Sequence, residues 1–318
     1  MTRLVVARVA QAVPLLLFVS LGVFALIHAM PGGPVELYLS NPNVRPEDVE
    51  RLRRALGLDQ PLTVQYVRWL TSFVRGDWGF SLADGRPVLD RLVERVPATV
   101  ELVGTALAIG FVAAMPAGVA AAAWRGRAFD RVTGVAAMVA VSIPVFWFGL
   151  LMQLVFAVGL AWLPSAGRSG FGDPSWVDRL QHIVLPASVL ATVQAAIWSR
   201  YLRVSMVEVL ASPFVAATRA RGVPEAMVLW RSALRPALPP FLTIVLLDAA
   251  MVVSGAVVTE SVFAWPGVGS LFTEALARRD YTVLMAFLMV IACVVVAANL
   301  AADVLGAWLD PRARGRAT

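Results

Sequence analysis

Apolar runs long enough to cross a bilayer recur six times along the chain, and the connectors between them hold most of its charge. The first run, Val9 to Met30, has 22 uncharged positions. At about 1.5 Å of rise per helical residue it matches a hydrocarbon core of ~30 Å. The others are Leu102 to Trp124, a run opening at Val132, Leu180 to Ser199, Pro236 to Thr259, and a run opening at Tyr281. The uncharged stretch from Val132 to Gly167 has 36 residues, too many for one straight crossing. The third span is therefore expected to end near Leu160, with Trp162, Leu163 and Pro164 at the interface. The first run ends in HAMPGGP without a small-residue cleavage pattern, so it is expected to be a retained helix.

Two connectors carry helical patterns of their own. In residues 31–98, Pro46 opens a segment in which Val49, Leu52, Leu56 and a closing Gly57 have helical spacing. Pro61 opens a second, with an apolar stripe of Val64, Val67, Leu70, Phe73 and Val74. A third, Val88 to Val96, sets Val88, Leu89, Leu92, Val93 and Val96 against Arg91, Glu94 and Arg95. Such amphipathic helices are expected to lie along the membrane or over the mouths of the spans, as a structural cap or as a docking platform for an external protein.

In the connector 206–236, Pro213 can open one short helix, Gly222 can close it in a left-handed conformation, and Pro224 can open a second. Ala216, Ala217 and Ala220 would let another surface approach closely, with Arg219 and Arg221 as flanking charges. A solvated loop would carry arginines too, so the pattern alone leaves both readings open.

Composition narrows the chemistry. The chain is 59% apolar and 15% charged, against ~25% charged in a soluble domain, which excludes a soluble enzyme. All 27 basic residues are arginine. Without lysine there is no phosphate-loop lysine and no Schiff base, so ATP-driven work must fall to a partner. Cys293, His28 and His182 lie in separate segments, with no spacing suited to a metal site, and are expected to be packing residues. No cofactor is implied.

The charges also orient the chain. The connectors that share a side with the termini hold 14 arginines, whereas the opposite side, its 68-residue loop set aside, holds four: Arg168, Arg179, Arg278 and Arg279. This predicts cytoplasmic termini. The net charge of +6 is thereby an orientation signal, and no aromatic-interleaved basic patch points to nucleic acid.

Asp248 falls in the middle of the fifth span, where a lone carboxylate costs about 2.5–3.5 kcal/mol on insertion scales and must face something polar. It is expected either to line a substrate path or to be hydrogen-bonded at a helix interface. Asp303 is expected to pair with an arginine near the inner interface, and Glu101 lies near the outer one. Pro14, Pro116, Pro144 and Pro186 fall within or beside spans, where neighbouring helices can satisfy local backbone breaks.

The stretch Ala216-Ala217-Thr218-Arg219-Ala220-Arg221-Gly222 resembles the coupling loop of binding-protein-dependent ABC-transporter permeases. Gly222, Ala233-Leu234-Arg235 and Pro240 match the form used by the dipeptide, oligopeptide and nickel branch, with Ala216 in place of its usual arginine. The resemblance covers nearly the whole chain. PLLLFVSLGVFALIHAMPGGP is similar to the family's first span, with Gly33 where an aspartate is common. LGLDQPLTVQYVRWL and Arg75 to Ser81 are similar to its outer-loop signature. Glu260 to Gly269, with Trp265, Pro266 and Gly267 at its centre, followed by Arg279-Asp280-Tyr281, is similar to the turn before the last span. Asp310-Pro311-Arg312 resembles the usual end.

The resemblance implies an all-α, six-span subunit with the type I ABC-importer permease fold, the first of two permease components. It divides as 1–30 (N-terminus and first helix), 31–98 (extracytoplasmic loop) and 99–318 (five-helix core). Implied partners are a second permease, two cytoplasmic ATP-binding subunits, an extracytoplasmic substrate-binding protein and the lipid bilayer of a bacterial cell membrane. The implied contacts with the ATPase are Ala216, Ala217, Arg219, Ala220, Arg221, Gly222 and Pro224, within 213–235. Glu260, Trp265, Pro266 and Gly267 become an outer gate or turn, and Asp248 a candidate for the path. Di- and oligopeptides are the leading substrates, with nickel chelates and glutathione as alternatives. An ion-coupled secondary transporter and a membrane-embedded hydrolase are the rival classes, each short of the second intramembrane carboxylate it needs.

Overall fold

Five helices are long and apolar enough to cross a membrane, and a pair of helices bent through 102° makes a sixth crossing when its two halves are counted as one span. The structure, a computed structural model, describes residues 2–29, 47, 51, 54, 57, 59–170, 172 and 175–309. The helix expected to start at Pro46 lies almost wholly outside the described residues, as do Gly33 and Asp310 to Arg312.

In chain order the helices are α1 (Thr2–Ala29), α2 (Leu62–Val74), α3 (Val88–Ala123), α4 (Ala128–Ser142), α5 (Val145–Met152), α6 (Trp176–Leu210), α7 (Pro213–Ala220), α8 (Glu225–Met227), α9 (Leu234–Val262), α10 (Val268–Ala277) and α11 (Tyr281–Leu309). A π-helical stretch, Gln153–Gly159, extends α5, and another, Val228–Ala233, joins α8 to α9. The near end of the bundle carries the start of α1 and the 211–233 connector. The far end carries α2, the loop before α3, and α10.

The central pair is α3 and α6. On α3, Ala106, Gly110, Ala114, Gly118 and Ala122 recur every fourth position and are all buried. Small residues at this spacing form a groove into which a second helix settles closely, the main packing device where lipid removes the hydrophobic drive between helices. An added Cβ at Gly118 would stand 2.9 Å from both Leu202 Cβ and the Ser199 carbonyl oxygen, and one at Gly110 would stand 3.2 Å from Gln194 Cβ. Gly118→Val is therefore expected to push α6 off α3 and destabilise the chain by about 1–3 kcal/mol. Thermal unfolding of purified protein checks this, and an unchanged transition would show that α6 yields freely.

Four expectations are corrected. Val88 to Val96 is not a separate surface helix but the first quarter of α3, which runs on through Pro97. Its Val88 and Leu92 are buried in the far-end core with Phe24, Leu271 and Val283. Helix α2 forms as expected, but its stripe is only partly turned inward: Phe73 packs on that core beside Tyr66 and Trp69, while Val64, Val67 and Val74 are exposed. The third span is broken at Ile143 and Pro144, where the residue before the proline adopts the extended backbone its ring enforces. It still traverses the bundle: Asp130 pairs with Arg203 at the near end, and Gln153 donates to the Val262 carbonyl at the far end, 3.0 Å away. Cys293 lies exposed on α11 and is not packed inside the chain.

Other expectations hold. Asp303 pairs with Arg8, Nε to Oδ2 2.9 Å; the structure adds a pair that was not expected, Glu101 with Arg168. His28 stacks on Phe24 with ring centroids 3.9 Å apart, and His182 is buried, each ring nitrogen Nδ1 lying 2.8 Å from a backbone carbonyl one turn earlier.

Candidate coupling surface, path and far-end turn

The near-end connector is built by three local signals. Pro213 occupies the first turn of α7, where its missing N–H costs nothing. Gly222 has φ +76°, the left-handed conformation that ends the helix. Pro224 then precedes α8 with φ −55° and ψ 140°. The second short helix expected here is not separate, because α8 passes through the π-helical stretch directly into α9. The connector therefore runs into a long apolar helix with no break in the helical backbone.

Helix α7 buries Val215 and Thr218 and leaves Ala216, Ala217, Arg219 and Ala220 exposed, together with Arg221, Gly222 and Pro224 beyond it. Phe214, Met227 and Trp230, each about half exposed, add apolar surface to the connector. Arg219 clamps the bend, its Nη2 and Nε donating to Glu225 Oε1 and Oε2 at 2.6 and 3.1 Å. That hydrogen bond holds the Glu225 carboxyl below its ordinary value. Arg221 Nη2 donates to Thr218 Oγ1 at 3.3 Å. A second clamp, Arg203 with Asp130, fastens the end of α6 to the start of α4, and Asp130 also accepts from the Gly126 N–H at 2.8 Å. The connector thus meets the bundle through α6 and α9, and α6 is tied on to α4.

Asp248 is half-buried on α9, and its Oδ2 accepts a hydrogen bond from the indole Nε1 of Trp198 at 3.0 Å. Trp198 is fully buried on α6. The carboxylate therefore has the polar partner its depth demands, and it stays partly open to the face it borders. The sequence showed that a partner was needed but gave no means of naming Trp198, fifty positions away.

At the far end, Glu260, Trp265, Pro266 and Gly267 come together. Glu260 is wholly buried, accepting from Thr99 Oγ1 at 2.6 Å and from the Ser270 N–H at 3.0 Å. Thr99 Oγ1 in turn accepts from the Val268 N–H at 2.8 Å. Trp265, also wholly buried, donates through Nε1 to the Ala98 carbonyl at 2.8 Å. A Cβ on Gly267 would meet Glu260 Oε1 at 2.2 Å, so only glycine allows the carboxylate to reach under the turn. Glu260, Trp265 and Gly267 brace α9 and α10 against α3, with Pro266 in the turn between them.

A second far-end joint escaped sequence reasoning. Asp280, wholly buried, accepts from Ser81 Oγ at 2.5 Å and from the Leu82 N–H at 3.1 Å, and Arg91 Nη1 lies 3.6 Å from its Oδ2. It pins the 75–87 loop to the start of α11. Both motifs had been legible separately; their meeting had not.

The chain was compared with known proteins. The family model described as "Binding-protein-dependent transport system inner membrane component" matches residues 114–315, and its N-terminal companion matches residues 1–103. The glutathione transport system permease protein GsiC of Escherichia coli strain K12 is 36% identical over 314 residues, covering 99% of each chain. The oligopeptide transport system permease protein AppB of Bacillus subtilis strain 168 is also 36% identical over 314 residues, covering 98% of this chain and 99% of its own. Among solved structures, the MetNI methionine ABC transporter in an inward-facing conformation shares the fold, with a TM-score of 0.58, 20% identity, and coverage of 70% of this chain and 98% of the other.

Proposed function

The chain belongs to the family of binding-protein-dependent transport system inner membrane components and is a permease subunit of an ABC importer, and on that premise we propose that it carries short peptides. Family membership sets aside the ion-coupled alternative. The observation that carries the peptide reading is the whole-length likeness to two permeases named for oligopeptide and glutathione transport. Glutathione is itself a tripeptide, so both names describe cargo with a peptide backbone. A second permease would enclose the path with this one, two ATP-binding subunits would seat on the near-end connector, and a binding protein would deliver cargo at the far end. The termini would then be cytoplasmic, in keeping with the arginine distribution.

The proposed mechanism needs no chemistry from this chain. Closure of the ATP-binding pair would push on Ala216, Ala217 and Ala220. The Arg219–Glu225 clamp would keep α7 and α8 moving as one piece. Helix α9 would follow through its unbroken junction, and α6 and α4 would follow through Arg203 and Asp130.

Reconstituted complex should take up a labelled tripeptide only with ATP and the binding protein, and glutathione should compete. Uptake of a different solute class with peptide excluded would overturn the substrate. Asp248→Asn keeps an acceptor for the Trp198 indole while removing the charge. It is expected to alter uptake of charged peptides at least about threefold with an unshifted unfolding transition, an effect of ~0.6 kcal/mol. Unaltered kinetics would remove Asp248 from the path.

A further inference from the structure

A cavity of about 410 Å³ opens at the far end between the last turn of α1, α2, the 75–82 loop and the start of α11. This lies within the range of roughly 300–1,000 Å³ usual for small-molecule sites. Its walls include Phe24, Trp69 and Trp78, linked through an aromatic chain in which Phe24 and Trp69 centroids are 6.0 Å apart and Phe73 stacks on Trp78 at 5.0 Å. Apart from these apolar faces the lining holds one cation and one anion, Arg68 and Asp77.

Neither charge meets an opposite charge among the described residues. The Arg68 guanidinium has no ion pair or hydrogen bond among the described residues. Asp77 Oδ1 accepts from the Gly79 N–H at 3.2 Å, and its other oxygen has no partner among the described residues. A third group is left wanting. Tyr281, 3% exposed, lines the cavity, and its hydroxyl is buried with no hydrogen-bond partner among the described residues. Native structures pair buried hydroxyls almost without exception, so an orphan beside a cavity points to something that completes it.

We propose that this cavity is a binding site for a small zwitterion, its oxyanion held by Arg68, its ammonium by Asp77 and the neighbouring aromatic faces, and an acceptor by the Tyr281 hydroxyl. The same chemistry is offered by a free dipeptide and by the headgroup of a zwitterionic lipid. The site is separate from the Asp248 region and stands whatever the path carries.

The test is calorimetric titration of the full chain in phosphatidylglycerol nanodiscs, which contain no zwitterionic lipid. The titrants are Ala-Leu, its doubly blocked N-acetyl amide, and glycerophosphocholine. Saturable binding of Ala-Leu or of glycerophosphocholine is expected, and which one binds names the source. Arg68→Gln should weaken it by about tenfold or more, as for loss of a charge-assisted pair, and the blocked peptide should bind as poorly. Tyr281→Phe removes a hydroxyl that bonds nothing among the described residues, so it should weaken binding about threefold without lowering the melting temperature. The proposal is overturned by absence of saturable binding with both probes, by equal affinity for the blocked peptide, or by binding that survives both substitutions. Binding lost in Asp248→Asn but intact in Arg68→Gln overturns it too, since the ligand would then sit in the path.

Discussion

Gly222→Val is expected to cut ATP-driven uptake by about tenfold or more in reconstituted complex while ATP hydrolysis continues, so that the number of ATP molecules spent per solute rises. The expectation comes from the backbone. Gly222 has φ +76°, and an added Cβ would find nothing within 4 Å. No clash is involved; the penalty is conformational. An L-residue in the left-handed region costs about 1–2 kcal/mol, and a β-branched one more. The bend can relieve that strain only by rotating out of the left-handed well, which swings α7 against α8 and opens the Arg219–Glu225 clamp. A push delivered to α7 would then be absorbed at the bend and not reach α9. Asparagine tolerates left-handed backbone, so Gly222→Asn should retain most coupling, a contrast that separates conformation from loss of a surface contact. A valine variant coupled as tightly as wild type would show that force enters the bundle elsewhere.

What could be read from the sequence is what local chemistry decides. Pro213, Gly222 and Pro224 act on their own backbone, and all three do in the structure what their types require. The spans follow from uncharged length alone. The alanine and glycine stripe of α3 was equally open to view, but it acquires meaning only against α6, and single-segment reasoning passes over it. The errors share one cause. Arg91, Glu94 and Arg95 look like the wet face of a surface helix, which suggests a break before the second span. In the fold those charges have partners: Arg91 meets Asp84 and Asp280, Glu94 meets Arg86, and Arg95 meets Glu274. Charged side chains paired in this way let α3 continue. The inward face of helix α2 was only partly read, since valines and aromatics compete for it and the aromatic-rich wall of the far-end core decides for Tyr66, Trp69 and Phe73. Pro144 announced a break in the third span but not an angle, which depends on where α5 finds Phe263 and Val262 to pack against.

Asp280→Ala is expected to be the most destabilising single change at the far end. The side chain is completely buried and serves as acceptor for the Ser81 hydroxyl and for the N–H groups of Leu82, Ala83 and Val283, at 2.5, 3.1, 3.4 and 3.4 Å. Arg91, its side chain only 11% exposed, leans on the same carboxylate. Alanine would leave that guanidinium with only the more exposed Asp84 and Glu274 as counter-charges and the donors of the 81–83 turn facing a void. Breaking a buried pair from one side costs about 3–5 kcal/mol, mostly through the charge left behind. The loss should show as a lowered unfolding transition and as faster amide exchange at Leu82 and Ala83, with the near-end connector unaffected. Asp280→Asn keeps one acceptor oxygen and should fall between wild type and alanine. Removing the stranded charge as well, in Arg91→Met with Asp280→Ala, should recover part of the deficit, because the two residues act as one unit. If the double variant were less stable by the sum of the two single losses, Arg91 and Asp280 would be independent, and the joint between the 75–87 loop and α11 would rest on the hydrogen bonds from Ser81, Leu82 and Ala83.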